Sequence, residues 1–519
     1  MTKTAIDYYH VIEQELVKCD GTLSESIHRY IAEIMSSGIP SADREELFVK
    51  LAQSTVKFEA AIYFYSIAVH AEHSADVLES LLDYCWSHRD EIGIDTLNYL
   101  YGQISHIMFV FSELNTFDTT VKAGRILDYV ISFFESELSD LIRPIPKEER
   151  NQDFVLVLTN QFISFLHGPT KTAADRCKIL MENMNKNVLL MNTAELLTLR
   201  GYVPFWDCYC GSYDEKLLNA ERIEWKSCVI PYFQCDNNMP DVDEIRILLS
   251  AIRSQKPAYI ISIGSGNVVA ALASKIIPAL CVGLVPSTLG ITGVYYQTLS
   301  RSLNDYDKKI LQAFGRPESS VIIGTFGSSI LPQKNHLTRE ELGLPAESWL
   351  AVLVGGRLNR ELDETFWNMA DKAALLGMEY VILGQYDQSD LDAVVKAHPS
   401  LFGKIHPMGI VQDVLSYMEL CDLYINPIRR GGGTSCVEAM SIGIPVLTTD
   451  FGDVAVNVGE QFHTDSYETM LELIQRYMTD VDFYQKQSQA AKERSAKLLN
   501  AEEAFISIVT DFLARADSE

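Results

Sequence analysis

The sequence predicts an α/β protein with two Rossmann-like domains preceded by an all-α domain, and three observations carry that prediction. Apolar residues recur at three- and four-residue spacing from the N-terminus to about residue 148, with glycine and proline scarce inside the runs. From Asp153 onward the period changes, and short continuous apolar runs alternate with helical patterns as in parallel-sheet units. Near Trp349 that series begins afresh, and between Asp422 and Gly443 it contains an apolar run, three consecutive glycines and a helix.

A chain of 519 residues is too long for one core and suggests two or three domains. With 47% hydrophobic and 10% aromatic residues it can bury sizeable cores, which excludes general disorder. The net charge of -27 argues against nucleic acid and anionic membrane surfaces as partners. The ten cysteines include no C-x-x-C pair, and the closest two are Cys208 and Cys210. Such scattered thiols fit a reduced, cytoplasmic protein better than a disulfide framework or a zinc site. The first twenty residues lack the apolar core of a signal peptide. Between Tyr259 and Ser300 the single charge is Lys275, but glycines and prolines divide that stretch. Strands and turns are expected there, and no transmembrane segment.

The helical region, expected at 1–148, contains the runs AIDYYHVIEQELV, FEAAIYFYSIAVHAEHSADVLESLLDYCW and TLNYLYGQISHIMFVFSEL. Residues 1–150 hold 25 acidic against 12 basic side chains, about half of the chain's net charge. Two roles stand open for it: recognition of an acceptor or partner chain, or a packing and homo-oligomer surface. Ile142 to Gln152, with Pro144, Pro146 and a charged cluster, has the composition of a linker.

The first Rossmann-like domain is expected at 151–335. DFVLVLTNQF is its first strand, followed by a loop from Leu166 to Thr170, a helix and the strand NVLLMNT. Loops at the carboxyl ends of such strands face the ligand crevice, which makes His167, Gly168 and Thr170 candidate acceptor-side residues. His167, the sole histidine between residues 151 and 330, is a candidate to deprotonate an acceptor or to hydrogen-bond a donor group. AYIISIGS leads into Gly264, Ser265, Gly266 and Asn267, a second candidate wall acting through backbone N–H groups. Asp241 and Asp243 have the spacing of a metal-binding Asp-x-Asp pair. Their place after Met239-Pro240, at a helix start, favours a dipole role instead, and no metal ligand is assigned.

The second Rossmann-like domain is expected at 336–495. Its strand WLAVLV ends in Gly355, Gly356 and Arg357, and EYVIL ends in Gly384 and Gln385. In the stretch from Asp422 to Val454, the strand Leu423-Tyr424-Ile425 meets Gly431, Gly432 and Gly433, then a helix from about Thr434 to Gly443. Glycines allow close approach and positive φ, while free N–H groups at the helix start, with the Thr434 and Ser435 hydroxyls, face an anion such as a diphosphate. Glu438, one turn on, is placed to accept hydrogen bonds from a ribose diol. Phosphate at the helix start and ribose on the carboxylate describe a nucleotide.

This stretch resembles the donor-binding region of GT-B glycosyltransferases, closest to the retaining enzymes of glycosyltransferase family 4, with Gly433, Glu438, Gly443, Pro445 and Val446 matching the pattern. The resemblance covers about residues 151 to 519 and is strongest over 350 to 460. One departure is Arg430, which stands where the family has the first of two glutamates. Thr434-Ser435 with Glu438 also resembles the Thr-Thr and acidic residue of O-GlcNAc transferase-like enzymes, which bind UDP-sugars. The resemblance implies a GT-B fold and a hexosyltransferase-type enzyme using a nucleotide sugar, on family grounds a UDP-sugar, as co-substrate. It further implies retention of configuration, no required metal and no other cofactor. It places Arg357 on the diphosphate, Met408 and Val411 by the base, and Arg430, Gly432 and Gly433 in the donor loop, with Gly355, Gly356 and Gln385 beside it. Catalytic expectations are His167, Arg357 and Glu438. The segment 496–519 is expected to cross back onto the first Rossmann domain. The acceptor stays open between a glycan and a polypeptide. Arg430 also keeps open a silent GT-B protein that supports an active partner.

Overall fold

The run Phe58–Glu72 forms a helix buried on every face from Ala60 to Val69, because its small and apolar residues admit neighbours all round. It lies at the centre of a helical region running from Lys3 to Glu137, in which Thr2, Ser24, Ser74 and Thr116 each cap a helix with a side-chain oxygen. This is a computed structural model, and it describes residues 1–165, 167–211, 213–328 and 330–518. Two compact units are distinguished, one mainly of residues 1–321 and one mainly of residues 322–519 with the short segments 285–289 and 298–302.

The first unit joins the helical region to a sheet. The strands of the eight-stranded sheet are β1 (Asn151–Thr159), β2 (Asn187–Asn192), β3 (Arg222–Trp225), β4 (Cys228–Gln234), β5 (Pro257–Ile263), β6 (Ala279–Val282), β7 (Tyr296–Leu299) and β8 (Val321–Ile323). They lie in the order β3-β4-β2-β1-β5-β6-β7-β8. β1 pairs in parallel with β2 on one side and β5 on the other, so the strand order reverses there. β3 runs antiparallel to β4, in a hairpin.

Helical and sheet residues share one hydrophobic core, in which Ile62, Leu100 and Ile126 join Leu156, Ile260 and the helix Val268–Ala273. The stretch with a linker's composition is pinned: Ile145 is buried, its N–H donates to the Ile276 carbonyl at 2.9 Å, and Arg253 donates to the Leu141 and Arg143 carbonyls. Proline there straightens the chain without freeing it, because these hydrogen bonds and an apolar anchor hold it.

The second unit contains β9 (Trp349–Val354), β10 (Met378–Leu383), β11 (Ile405–Gly409), β12 (Leu423–Ile425), β13 (Val446–Thr449) and β14 (His463–Thr464). All pair in parallel, in the order β11-β10-β9-β12-β13-β14. The chain winds from β9 outward to β11, returns to β12 and winds the other way, placing a switch point between β9 and β12. The terminal helix Ala501–Ala516 belongs to this unit. Among the described residues no helix is long and apolar enough to cross a membrane.

Candidate functional site

Open parallel sheets bind ligands outside the carboxyl ends of the strands that flank a switch point. In the second unit those ends carry two glycine turns: Gly355-Gly356 after β9, and Gly431-Gly432-Gly433 after β12. The helix following the second turn spans Gly433–Ser441, and Gly432 before it takes φ +94, a left-handed conformation that glycine adopts without strain.

Arg429 lies under both turns, its side chain 4% exposed. It donates from Nε to Asn426 Oδ1 (2.8 Å), from Nη1 to Glu361 Oε2 (2.8 Å), and from Nη2 to the Val354 carbonyl (2.8 Å) and the Tyr424 hydroxyl (3.1 Å). Glu361 holds Arg357 with its other oxygen at 3.1 Å. Burial would raise the Glu361 carboxyl, but the guanidinium charges of Arg429 and Arg357 outweigh it and hold the group below the usual range. Two arginines and one glutamate leave a net positive charge beneath the turns.

Thr434 is exposed and Glu438 half-buried on the same helix. Ser435 needs a correction: its hydroxyl is buried, bonded to the Tyr424 hydroxyl at 2.8 Å and to the Gly432 carbonyl at 3.0 Å, and so is not turned to a ligand. Arg430 is half-buried, and its carbonyl accepts from the Asp453 N–H at 2.8 Å. Gln385 is exposed after β10, while Met408 at the end of β11 and Val411 just past it are half-buried, farther along the same sheet edge. Asp453 is buried behind the glycine turn and accepts from the Ser287 hydroxyl (2.7 Å) and N–H (3.1 Å). Burial pushes this carboxyl up to about 7 against those hydrogen bonds.

In the first unit, Gly264 to Asn267 follow β5 at the reversal of strand order, and Asn160 after β1 donates to the Ser265 carbonyl at 2.8 Å. Several N–H groups of this turn and of the helix Val268–Ala273 after it already have partners. Glu195 accepts from the Val268 and Val269 N–H groups (2.6 and 3.1 Å), and Asn267 accepts from Ala270 (2.7 Å) while donating to Thr193. The Gly264 N–H is spent on the Val282 carbonyl. Burial pushes the Glu195 carboxyl up to about 7 although backbone donors oppose it. His167 is half-buried just before the helix Gly168–Glu182, whose Gly168 is exposed, and the Thr170 hydroxyl accepts from the Ile163 N–H at 3.2 Å. Leu166 of that loop lies outside the described residues. Asp241 caps the helix Val242–Gln255, as its sequence position suggested, and it also pairs with Arg200 at 2.8 Å. Among the described residues no group of three His, Cys, Asp or Glu is arranged to hold a metal ion.

Arg429, Glu361 and Glu195 escaped the sequence reading. The four-residue spacing of Arg357 and Glu361 hinted at their contact but not at the burial of Glu361 or its pairing with Arg429. Nothing in the sequence marked Glu195, whose partners lie 73 and 74 residues away.

Residues 351–480 match the profile of a family described as Glycosyl transferases group 1. A Bacillus subtilis (strain 168) protein, described as "Putative teichuronic acid biosynthesis glycosyltransferase TuaC", is 30% identical over 184 residues, which is 31% of this chain and 44% of that protein. The chain thus spans less than half the length of this curated relative. A solved structure of a Thermobaculum terrenum O-GlcNAc transferase mutant shares the fold with a TM-score of 0.55 at 10% identity, over 99% of this chain and 98% of that one. The fold class is GT-B, two parallel-sheet Rossmann-like units with a helical N-terminal region. The residues that match glycosyl transferases group 1 lie in its second unit.

Proposed function

We propose that this protein is a glycosyltransferase that moves a sugar from a nucleoside diphosphate sugar to an acceptor. One observation carries the reading: two glycine turns flank the switch point of a parallel sheet, within the segment that matches glycosyl transferases group 1. The helix N–H groups, Thr434, Arg357 and Arg430 face the diphosphate and stabilise the charge it gains as the bond to the sugar breaks. Glu438 accepts from the ribose hydroxyls. The acceptor oxygen bonds to the anomeric carbon on the face the diphosphate leaves, and the acceptor proton passes to the leaving phosphate. Configuration is retained, no metal is required, and His167 serves to position groups. The donor base is uridine, on the resemblance of the donor loop.

Two acceptors are supported by different observations. The relative named for teichuronic acid biosynthesis favours a glycan. The helical region ahead of a GT-B core favours a polypeptide, by analogy of architecture.

Calorimetric titration of UDP, GDP, ADP, CDP and their sugars into the wild type and Glu438→Ala tests the donor site. One nucleotide is expected to bind, with at least a tenfold loss in the variant, and donor hydrolysis should persist in EDTA. Arg430 at the family's glutamate position favours a second reading, a silent partner of an active enzyme. A folded wild type that binds nothing in the panel would establish that reading instead.

A further inference from the structure

We propose that Arg429 is a positioning residue for the donor diphosphate: it locks the two glycine turns to each other and, through Glu361, aims the guanidinium of Arg357. The inference rests on the donor-site reading above and adds a residue that never touches the ligand.

Its guanidinium occupies the space between the turns. A Cβ at Gly355 would come within 2.4 Å of Nη1, and one at Gly432 within 2.6 Å of Nη2. The guanidinium, held by its hydrogen bonds, thus leaves no room for a side chain at either position, and at Gly432 the φ of +94 disfavours one as well. The same group reaches acceptors on both sides of the switch point, the Val354 carbonyl at the end of β9 and Asn426 and Tyr424 at the end of β12. Arginine's planar fork, with donors in fixed directions, is what allows one side chain to span them.

The chain of contacts then runs outward. Arg429 takes one Glu361 oxygen at 2.8 Å, and Arg357 takes the other at 3.1 Å. Glu361 is 5% exposed and Arg357 34% exposed, so a buried anchor orients a guanidinium that reaches the surface of the sheet edge. A phosphate-binding arginine free to sample its rotamers loses entropy on binding, and one already held by a carboxylate loses less. Gly452 fits the same arrangement, since a Cβ there would come within 2.1 Å of the Arg429 carbonyl.

Arg429→Met alone leaves a buried carboxylate with one partner and is expected to lower the melting temperature. Arg429→Met combined with Glu361→Met replaces the buried pair by apolar side chains, a change that restores stability. Arg429→Lys keeps the charge pair but not the fork. Melting temperature and calorimetric affinity for UDP, GDP, ADP and CDP are measured on the wild type and these variants. The expected result is a double variant as stable as the wild type whose affinity stays at least tenfold weaker, with Arg429→Lys weakened by a similar factor. A purely structural arginine would give affinity that recovers with stability, and wild-type affinity in either folded variant overturns the inference. A wild type that binds no nucleotide overturns the donor reading and this inference together, which separates the two failures.

Discussion

Asp453 and Glu195 are both buried, and each has its proton held up to about pH 7 by burial, against hydrogen bonds that favour the anion. A carboxyl whose folded value exceeds its unfolded one adds stability below the unfolded value near 4, and that contribution is lost as pH rises toward 7. The slope is about 1.4 kcal/mol per pH unit in that window. Asp453→Asn keeps an acceptor for Ser287 without the titration. The wild type is therefore expected to lose stability relative to Asp453→Asn between pH 4 and 7, and no further above pH 8. Urea unfolding at a series of pH values checks this. The glycine triplet and Glu438 were legible because their chemistry is local, a turn and a helix. Arg429 and Glu361 were not, because a buried ion pair is defined by what surrounds it, and 68 residues separate these partners.

The strands richest in β-branched and aliphatic residues, β1, β5, β9 and β10, stood out in the sequence and form as expected. The β3-β4 hairpin did not stand out. Its loop, Lys226-Ser227, takes positive φ at both residues, where Asn-Gly or Asp-Gly would have announced the turn. β6 and β7 were hidden in the stretch after Tyr259, where strands of four residues are too short to show a period. The turn after β10 shows how closely these elements pack. Gly384 takes φ +147, and a Cβ there would come within 1.8 Å of the Gly355 carbonyl oxygen. Gly384→Ala must move the backbone of the first glycine turn. A loss of about 3 kcal/mol or more in urea unfolding is expected, with weaker nucleotide binding, since φ strain and overpacking act together.

The helical region and the first sheet form a single unit with a continuous core. Gln103 exchanges two hydrogen bonds with the backbone of Tyr209 (2.7 and 2.9 Å), the Trp206 N–H donates to Ser66, and Arg200 pairs with Asp95. Removing residues 1–140 would expose the apolar faces of Leu156, Ile260 and the helix Val268–Ala273 to water, at about 25 cal/mol per Å². The truncated chain is expected to aggregate or to show rapid proteolysis between residues 151 and 321. Size-exclusion chromatography and limited proteolysis check it, and a monodisperse, protease-resistant fragment would show that the shared core is dispensable.

Local pattern was enough for the class of fold, for most parallel strands, for the glycine-rich turn and for the helix with Glu438, because periodicity and turn chemistry are written in neighbouring residues. Contacts between distant residues decided the rest: the helical region merges with the first sheet's core, the first sheet's turn is closed by Glu195, Ser435 faces inward, and one arginine underlies both glycine turns. A buried polar group takes whatever partner the fold brings to it, and its cost without one is what makes that choice specific.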